Sequence, residues 1–247
     1  MLKNLALCQQ KKKIKEWKGQ GNFIIASPSA WLANCAKKSS VFCSNQVIVC
    51  PNVVDTDVFK PMNKQKCREK LGLQPLKRYM MLSAVDANNI YKGFEYLCKA
   101  MKLVTTENVE FVIVGNVNLD AYPSDIKDKI IPMGFVRDQS KIIDIYNSVD
   151  AYVTSSIAEN FPNVVIEAMS CGIPVVGFAT GGIPEQISHK RNGYLAKYKD
   201  SEDLARGIDW VLNSKNYEEL SKSARQYVIE NCSYINVLKN HKQILDL

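Results

Sequence analysis

From residue 79 onward the chain alternates short apolar runs with longer amphipathic stretches, and no other feature constrains its fold as strongly. Runs at 79–85 and 110–115 read as strands, followed by shorter ones at 129–132, 151–154 and 174–178. Between them lie amphipathic stretches at 94–104, 140–147, 162–171 and 183–188. Strand and helix in turn predict an α/β protein, a doubly wound parallel sheet with helices on both faces. Stretches 201–212, 217–231 and 235–245 then read as three consecutive helices. In such sheets ligands bind outside the carboxyl ends of the strands, in the loops that enter helices. Tyr91-Lys92-Gly93, Gly134-Phe135-Val136 and the loop at 159–163 all fall at places of that kind.

Before residue 79 the pattern is sparser. Short strands are expected at 23–27 and 46–50, with a helix at 30–38 between them, too little for an independent domain. Residues 52–75 hold several charges and two prolines and read as a connector. The chain therefore divides into 1–75, the end of something larger plus the connector, and 76–247, a Rossmann-like ligand-binding domain.

Composition removes several function classes. No apolar run approaches the roughly 18–20 residues needed to span a bilayer, and residues 1–8 lack the pattern of a secretory signal. The eight cysteines are dispersed with no C-x-x-C pair, which fits free thiols in a reducing cytosol. Only His189 and His241 offer imidazole, so no metal centre is expected. The net charge of +7 is uneven, with Lys11, Lys12, Lys13, Lys15 and Lys18 gathered around Ile14 and Trp17. A basic segment with an aromatic can meet an anionic membrane or nucleic acid. The favoured reading is a solvated lysine-rich helix face. No nucleic-acid partner is expected, and peripheral contact with the inner face of a membrane stays open.

Chemistry concentrates in E-N-F-P-N-V-V-I-E, which places Glu159 and Glu167 eight positions apart. The spacing alone describes many surface glutamate pairs; the neighbours give it meaning. The stretch parses as a strand, a loop bearing Glu159, then a helix with Pro162 at its first position, where a missing N–H costs nothing. The free N–H groups that follow, at Asn163 and Val164, and the helix dipole form a ready phosphate site. One turn inside, Glu167 can accept two hydrogen bonds from a ribose diol. Glu159 stands at the mouth.

Several motifs together resemble the retaining glycosyltransferases of family four, which have the two-domain GT-B fold. P-N-V-V-D-T-D-V-F-K-P (51–61) resembles that family's interdomain connector, Y-K-G-F (91–94) its phosphate-binding turn, and F-V-I-V-G (111–115) with G-F-V (134–136) its second strand and base-binding loop. The glutamate block running into A-M-S-C-G-I-P-V-V is the strongest match, and G-G-I-P-E (181–185) and N-G-Y-L (192–195) complete a colinear series. P-S-A-W-L-A-N-C-A-K-K-S (28–39) further resembles bacterial members that build surface polysaccharides.

The resemblance implies transfer of a sugar from a UDP- or GDP-linked donor, with retention, to an acceptor saccharide or lipid-linked glycan. It implies neither metal nor separate cofactor. Lys92, in the Lys92-Gly93 turn, would place its ammonium on the donor pyrophosphate, and backbone groups around Phe135 and Val136 would hold the base. Glu167 would bind the ribose. Glu159, the catalytic position, would bond the transferred sugar near its anomeric carbon, and the N–H groups of Phe161, Asn163 and Val164 would cradle sugar and phosphate. Glu185 reads equally as ligand or helix-start acid, Cys171 as a packed small residue, and His189 as a surface residue at a helix end.

Two departures from the family pattern carry expectations. The family pairs its lysine with an upstream arginine, whereas 83–91 here reads S-A-V-D-A-N-N-I-Y. One lost charge-assisted contact is worth about 1.5–3 kcal/mol, so weak donor binding or another compensating base is expected. The family's N-terminal acceptor half also has no counterpart beyond 23–54, so the chain reads as a donor half with a remnant of the acceptor domain. Exposed apolar surface is then expected at that remnant and at the last helix. A nucleotide-sugar-binding module without transferase activity stands as the alternative, with a GT-B sugar-nucleotide epimerase behind it.

Overall fold

The computed structural model describes residues 2–17, 24–83 and 89–245. The expected strand ends at Phe23, Ala84 and Val85, Lys18 of the basic cluster, and most of the arginine-less stretch lie outside the described residues. Six parallel strands form one sheet: β3 (Arg78–Ser83), β4 (Val109–Val114), β5 (Ile130–Gly134), β6 (Ala151–Thr154), β7 (Val175–Phe178) and β8 (Gly193–Ala196). Their spatial order is β5-β4-β3-β6-β7-β8. The chain thus builds outward from β3 to one edge, returns across the sheet, and builds outward again from β6. Between β3 and β6, paired through Met80 with Ala151 and Met81 with Tyr152, the strand order reverses.

Alternation along the strands assigns their side chains to two cores. Tyr79, Met81, Val112 and Val175 pack on one side with α6 (Gln139–Ser148), α7 (Asn163–Ser170) and α10 (Tyr217–Cys232). Met80, Leu82, Phe111, Ile113 and Val176 pack on the other with α4 (Phe94–Leu103), α5 (Ser124–Lys127) and α9 (Ser201–Leu212). Every residue of β6 and β7 is buried, as expected of strands covered on both faces. Each large aliphatic side chain so buried contributes about 1.5–3 kcal/mol.

A second, two-stranded parallel sheet joins β1 (Ile25–Ser27) to β2 (Val47–Val49), with α2 (Ala30–Lys38) between them in sequence, and α1 (Leu2–Trp17) precedes the unit. The last helix, α11 (Tyr234–Leu245), packs on α10. Large apolar side chains stand exposed at both places, Trp31, Val49 and Val53 near the small sheet and Ile235 and Leu238 on α11.

The stretch read as a plain connector contains a helix, α3 (Lys64–Leu71), which packs on α6. Asn63 caps it by accepting from the Lys66 N–H, and Gly72 closes it. The expected helix at 183–188 shrinks to one turn, α8 (Ile183–Gln186), and N-G-Y-L proves to hold the start of a strand, β8.

Asp150, just before β6, ties these parts together. Its buried carboxylate accepts from Lys64 Nζ at 2.8 Å, Arg68 Nη2 at 2.9 Å and the Tyr79 N–H at 2.8 Å. Removing one partner of a buried ion pair leaves the other charge uncompensated. Asp150→Ala is therefore expected to destabilise the fold by about 3–5 kcal/mol in urea denaturation. A loss under about 1 kcal/mol would contradict this account of the joint.

Candidate active site

A cavity of about 470 Å³ opens at the carboxyl ends of β3 and β6. It is lined in part by Asn52, Ser83, Lys92, Thr154, Glu159 and Asn163. The position follows from topology, because the strand order reverses between β3 and β6, and ligands bind at such a reversal outside the carboxyl ends of the strands.

The Lys92 turn is fastened to the loop that follows β6. The Ser155 hydroxyl donates to the Lys92 carbonyl at 2.8 Å, and the Ile157 N–H donates to the Tyr91 carbonyl at 2.8 Å. Gly93 makes this approach possible. Its φ is +64°, and a Cβ there would lie 2.0 Å from the Ser155 carbonyl oxygen. Lys92 Nζ, so placed, donates to Glu159 Oε2 at 2.9 Å. The other side of the Glu159 loop meets Gly181, at φ +56°, where a Cβ would fall 1.6 Å from the Glu159 carbonyl oxygen.

Pro162 lies at the N-cap of α7 rather than at its first helical position, because its ψ of 125° is extended. The first helical residues are therefore Asn163 and Val164, whose N–H groups have no intrahelical partner; both residues line the cavity. The Asn52 amide fixes this end of the helix, donating to the Phe161 carbonyl at 3.0 Å and to Asn163 Oδ1 at 2.8 Å.

Glu167 stands one turn further along α7. It is half-buried, and burial pushes its carboxyl above the usual glutamate range, against the lowering effect of a hydrogen bond from Tyr146. The Tyr146 hydroxyl donates to Glu167 Oε2 at 2.8 Å. Phe135 and Val136 follow β5, two strands from the cavity, and neither lines it. Phe135 is 68% exposed, with the Arg137 guanidinium 5.7 Å from its ring centre.

The structure thus gathers Lys92, Glu159, Phe161, Asn163 and Val164 around one cavity, with Gly93 shaping the turn, while Glu167 stands behind Asn163 and Val164 on α7 and is not among the residues that line it. Sequence reasoning missed Asn52, Ser83, Ser155 and Tyr152. Tyr152 is buried and its hydroxyl lies 2.9 Å from Ser83 Oγ. Asn52 and Ser83 had a signal, one in the connector motif and one at a strand's carboxyl end. Ser155 and Tyr152 had none. The Glu185 carboxylate accepts from the Ala30 and Trp31 N–H groups, both at 2.7 Å, and so caps α2, a helix distant in sequence. Cys171 is buried and its thiol is pushed up to about 12, chiefly by burial. His189 is exposed in the turn after α8 and accepts from the Leu195 N–H at 3.2 Å. Among the described residues, no three His, Cys, Asp or Glu side chains gather where they could hold a metal ion.

A parallel sheet covered on both faces, with a polar cleft where its strand order reverses, defines a doubly wound ligand-binding protein. Comparison with known proteins narrows the class. The chain belongs to the family "Glycosyl transferases group 1", whose model matches residues 64–229. An uncharacterized glycosyltransferase of Methanocaldococcus jannaschii is 32% identical over 180 residues, spanning 70% of this chain and 45% of the relative. The UDP-Gal:alpha-D-GlcNAc-diphosphoundecaprenol alpha-1,3-galactosyltransferase of Escherichia coli is 26% identical over 215 residues, spanning 82% and 54%. The crystal structure of HepE from Anabaena in complex with UDP-glucose shares the fold, with a TM-score of 0.75 at 19% identity over 96% of this chain and 68% of that one. The chain spans about half the length of the curated relatives it matches.

Glu167→Gln is expected to raise the melting temperature of the unliganded chain at neutral pH. It removes a half-buried charge while keeping an acceptor for Tyr146. The folded carboxyl holds its proton more tightly than the unfolded one, so its penalty is absent below the ordinary glutamate pKa and grows as pH rises through the raised folded value. The variant's advantage should therefore vanish in acid, which melts across a pH series will check.

Proposed function

We propose that the cavity binds a nucleoside-diphosphate sugar, UDP- or GDP-linked, and that residues 76–247 are the donor-binding part of a retaining glycosyltransferase. Residues 1–75 belong, on this reading, to an acceptor-side domain and its connector. The observation that carries the proposal is the juxtaposition of Lys92, Glu159 and the start of α7 around one cleft at the strand-order reversal. The family membership and the UDP-glucose bound by HepE support it.

In this reading the diphosphate lies between Lys92 and the N–H groups of Asn163 and Val164. These groups favour the charge that develops on the leaving nucleoside diphosphate. Lys92 is 45% and Glu159 22% exposed at the side chain, so their pair is partly solvated and worth at most about 1 kcal/mol. An incoming diphosphate can take the ammonium over at small cost, which frees Glu159 to bond the sugar near its anomeric carbon. Glu167 holds the ribose, and the loop at Phe135 and Val136 meets the base. The acceptor is a saccharide or lipid-linked glycan, as the name of the Escherichia coli relative suggests.

A panel of UDP- and GDP-sugars at millimolar concentration tests the proposal by thermal shift. One of them should raise the melting temperature, and Glu167→Ala should abolish the shift; no response across the panel would overturn the reading. Sugar release from the bound donor, measured alongside, separates a catalytic role from a binding one.

Cytoplasmic placement with peripheral membrane contact through α1 belongs to the same proposal. Among the described residues, no helix is long and apolar enough to cross a membrane. Lys11, Lys12, Lys13 and Lys15 stand exposed on α1, near exposed Leu5 and Leu7. Charge reversal of the four lysines should remove binding to phosphatidylglycerol vesicles, and unchanged binding would discard the contact.

A further inference from the structure

Glu167 hangs on a flexible side chain, and a flexible carboxylate is a poor reader of a diol unless something holds it. Tyr146 does so. Its hydroxyl donates to Oε2 at 2.8 Å, which leaves Oε1 and the remaining lone pairs free for other donors. Tyr146 itself has little freedom. It is 1% exposed, and its ring lies 6.3 Å from Phe59 in an edge-on contact and 6.5 Å from Tyr152. Burial pushes its hydroxyl well above the ordinary tyrosine range, so it stays a donor.

The next residue on α6 is tied to the same connector segment. The Asn147 amide donates to the Lys60 carbonyl at 3.1 Å, and its Oδ1 accepts from the Met62 N–H at 2.6 Å. The connector also meets α7, since Ser170 Oγ donates to the Phe59 carbonyl at 2.5 Å. Phe59 thus touches both the helix that carries Tyr146 and the helix that carries Glu167.

We infer that Tyr146 is a positioning residue for ribose recognition, orienting the Glu167 carboxylate, and that Phe59 of the connector holds Tyr146 in place. The inference rests on the donor-site reading above. It assigns discrimination between ribose and deoxyribose to a residue that does not touch the nucleotide, and it makes the connector part of that discrimination.

The test compares dissociation constants for UDP against 2′-deoxy-UDP, and for GDP against 2′-deoxy-GDP, by calorimetry. Wild type should favour the ribonucleotide of its preferred base. Tyr146→Phe keeps the ring and should weaken that ribonucleotide about tenfold, because the Glu167 carboxylate must then be ordered at the expense of binding. The deoxy form should weaken less, so the preference narrows. A merely structural role would weaken both forms equally. Phe59→Leu should narrow the preference in the same direction, and it decides the matter should Tyr146→Phe fail to fold. A variant that folds and keeps the wild-type preference overturns the inference while leaving the donor site standing. Wild type that binds neither nucleotide, or binds without preferring ribose, overturns the ribose role of Glu167 and the inference with it.

Discussion

The joint at Asp150 is the interaction on which most of this structure depends. A carboxylate with its side chain 7% exposed costs several kcal/mol to desolvate and persists only because three donors converge on it. Those donors come from α3 and from the start of β3, while Tyr217 at the head of α10 donates its hydroxyl to the Asp150 carbonyl at 2.7 Å. One residue therefore fixes the connector helix, the two central strands and a helix that covers them. It does so at the amino ends of β3 and β6, the end opposite the cavity. With that end locked, the cavity sits at the far ends of two strands held from a fixed base.

The cavity wall is then assembled by staples between segments far apart in sequence. Gly93 lets one turn press on Ser155, Gly181 lets another press on Glu159, and Asn52 reaches from the connector to the start of α7. At the far end of α7, Arg225 donates to the carbonyls of Ser170, Phe59 and Thr56 at 2.6, 3.2 and 3.1 Å. Loops carry the charged groups, yet backbone carbonyls bound by distant side chains hold those loops. Such support gives a site on loops the precision of one built on rigid elements.

Local patterns carried much of this into the sequence. Residues 151–154, 30–38 and 201–212 were legible to the residue, because a short apolar run and the apolar spacing of a helix are local signals. Helix α3 was not, since K-Q-K-C-R-E-K-L has almost no apolar face. It is held by Lys64 and Arg68 to Asp150 and by Lys70 to Asp144, more than seventy positions away. Strand β8 opens on glycine and exists by pairing with β7, the strand before it in the chain. The site divides the same way. Lys92 and Glu159 were legible as members of a motif series, but their 2.9 Å contact spans 67 positions and has no local trace. Glu185 was read as a ligand or as an acid at the start of a helix; the helix it caps is the one at 30–38.

That capping contact bears on how the small sheet relates to the cleft. Glu185 holds the start of α2, and the Ser29 hydroxyl, which caps the same helix, donates to Asn160 Oδ1 at 2.6 Å. Asn160 is the neighbour of Glu159 on the cavity loop. Three hydrogen bonds thus tie the start of α2 to the large-sheet unit, one of them to the loop that carries Glu159, while the apolar side chains Trp31 and Val49 remain exposed. Polar links of this kind are worth about 0.5–1.5 kcal/mol each, or 1.5–3 where a charge takes part. The contact is also close: Ser29 is buried, and a Cβ on Gly182 would lie 2.9 Å from the Ser29 Cβ, so the start of α2 is seated by packing as well as by hydrogen bonds.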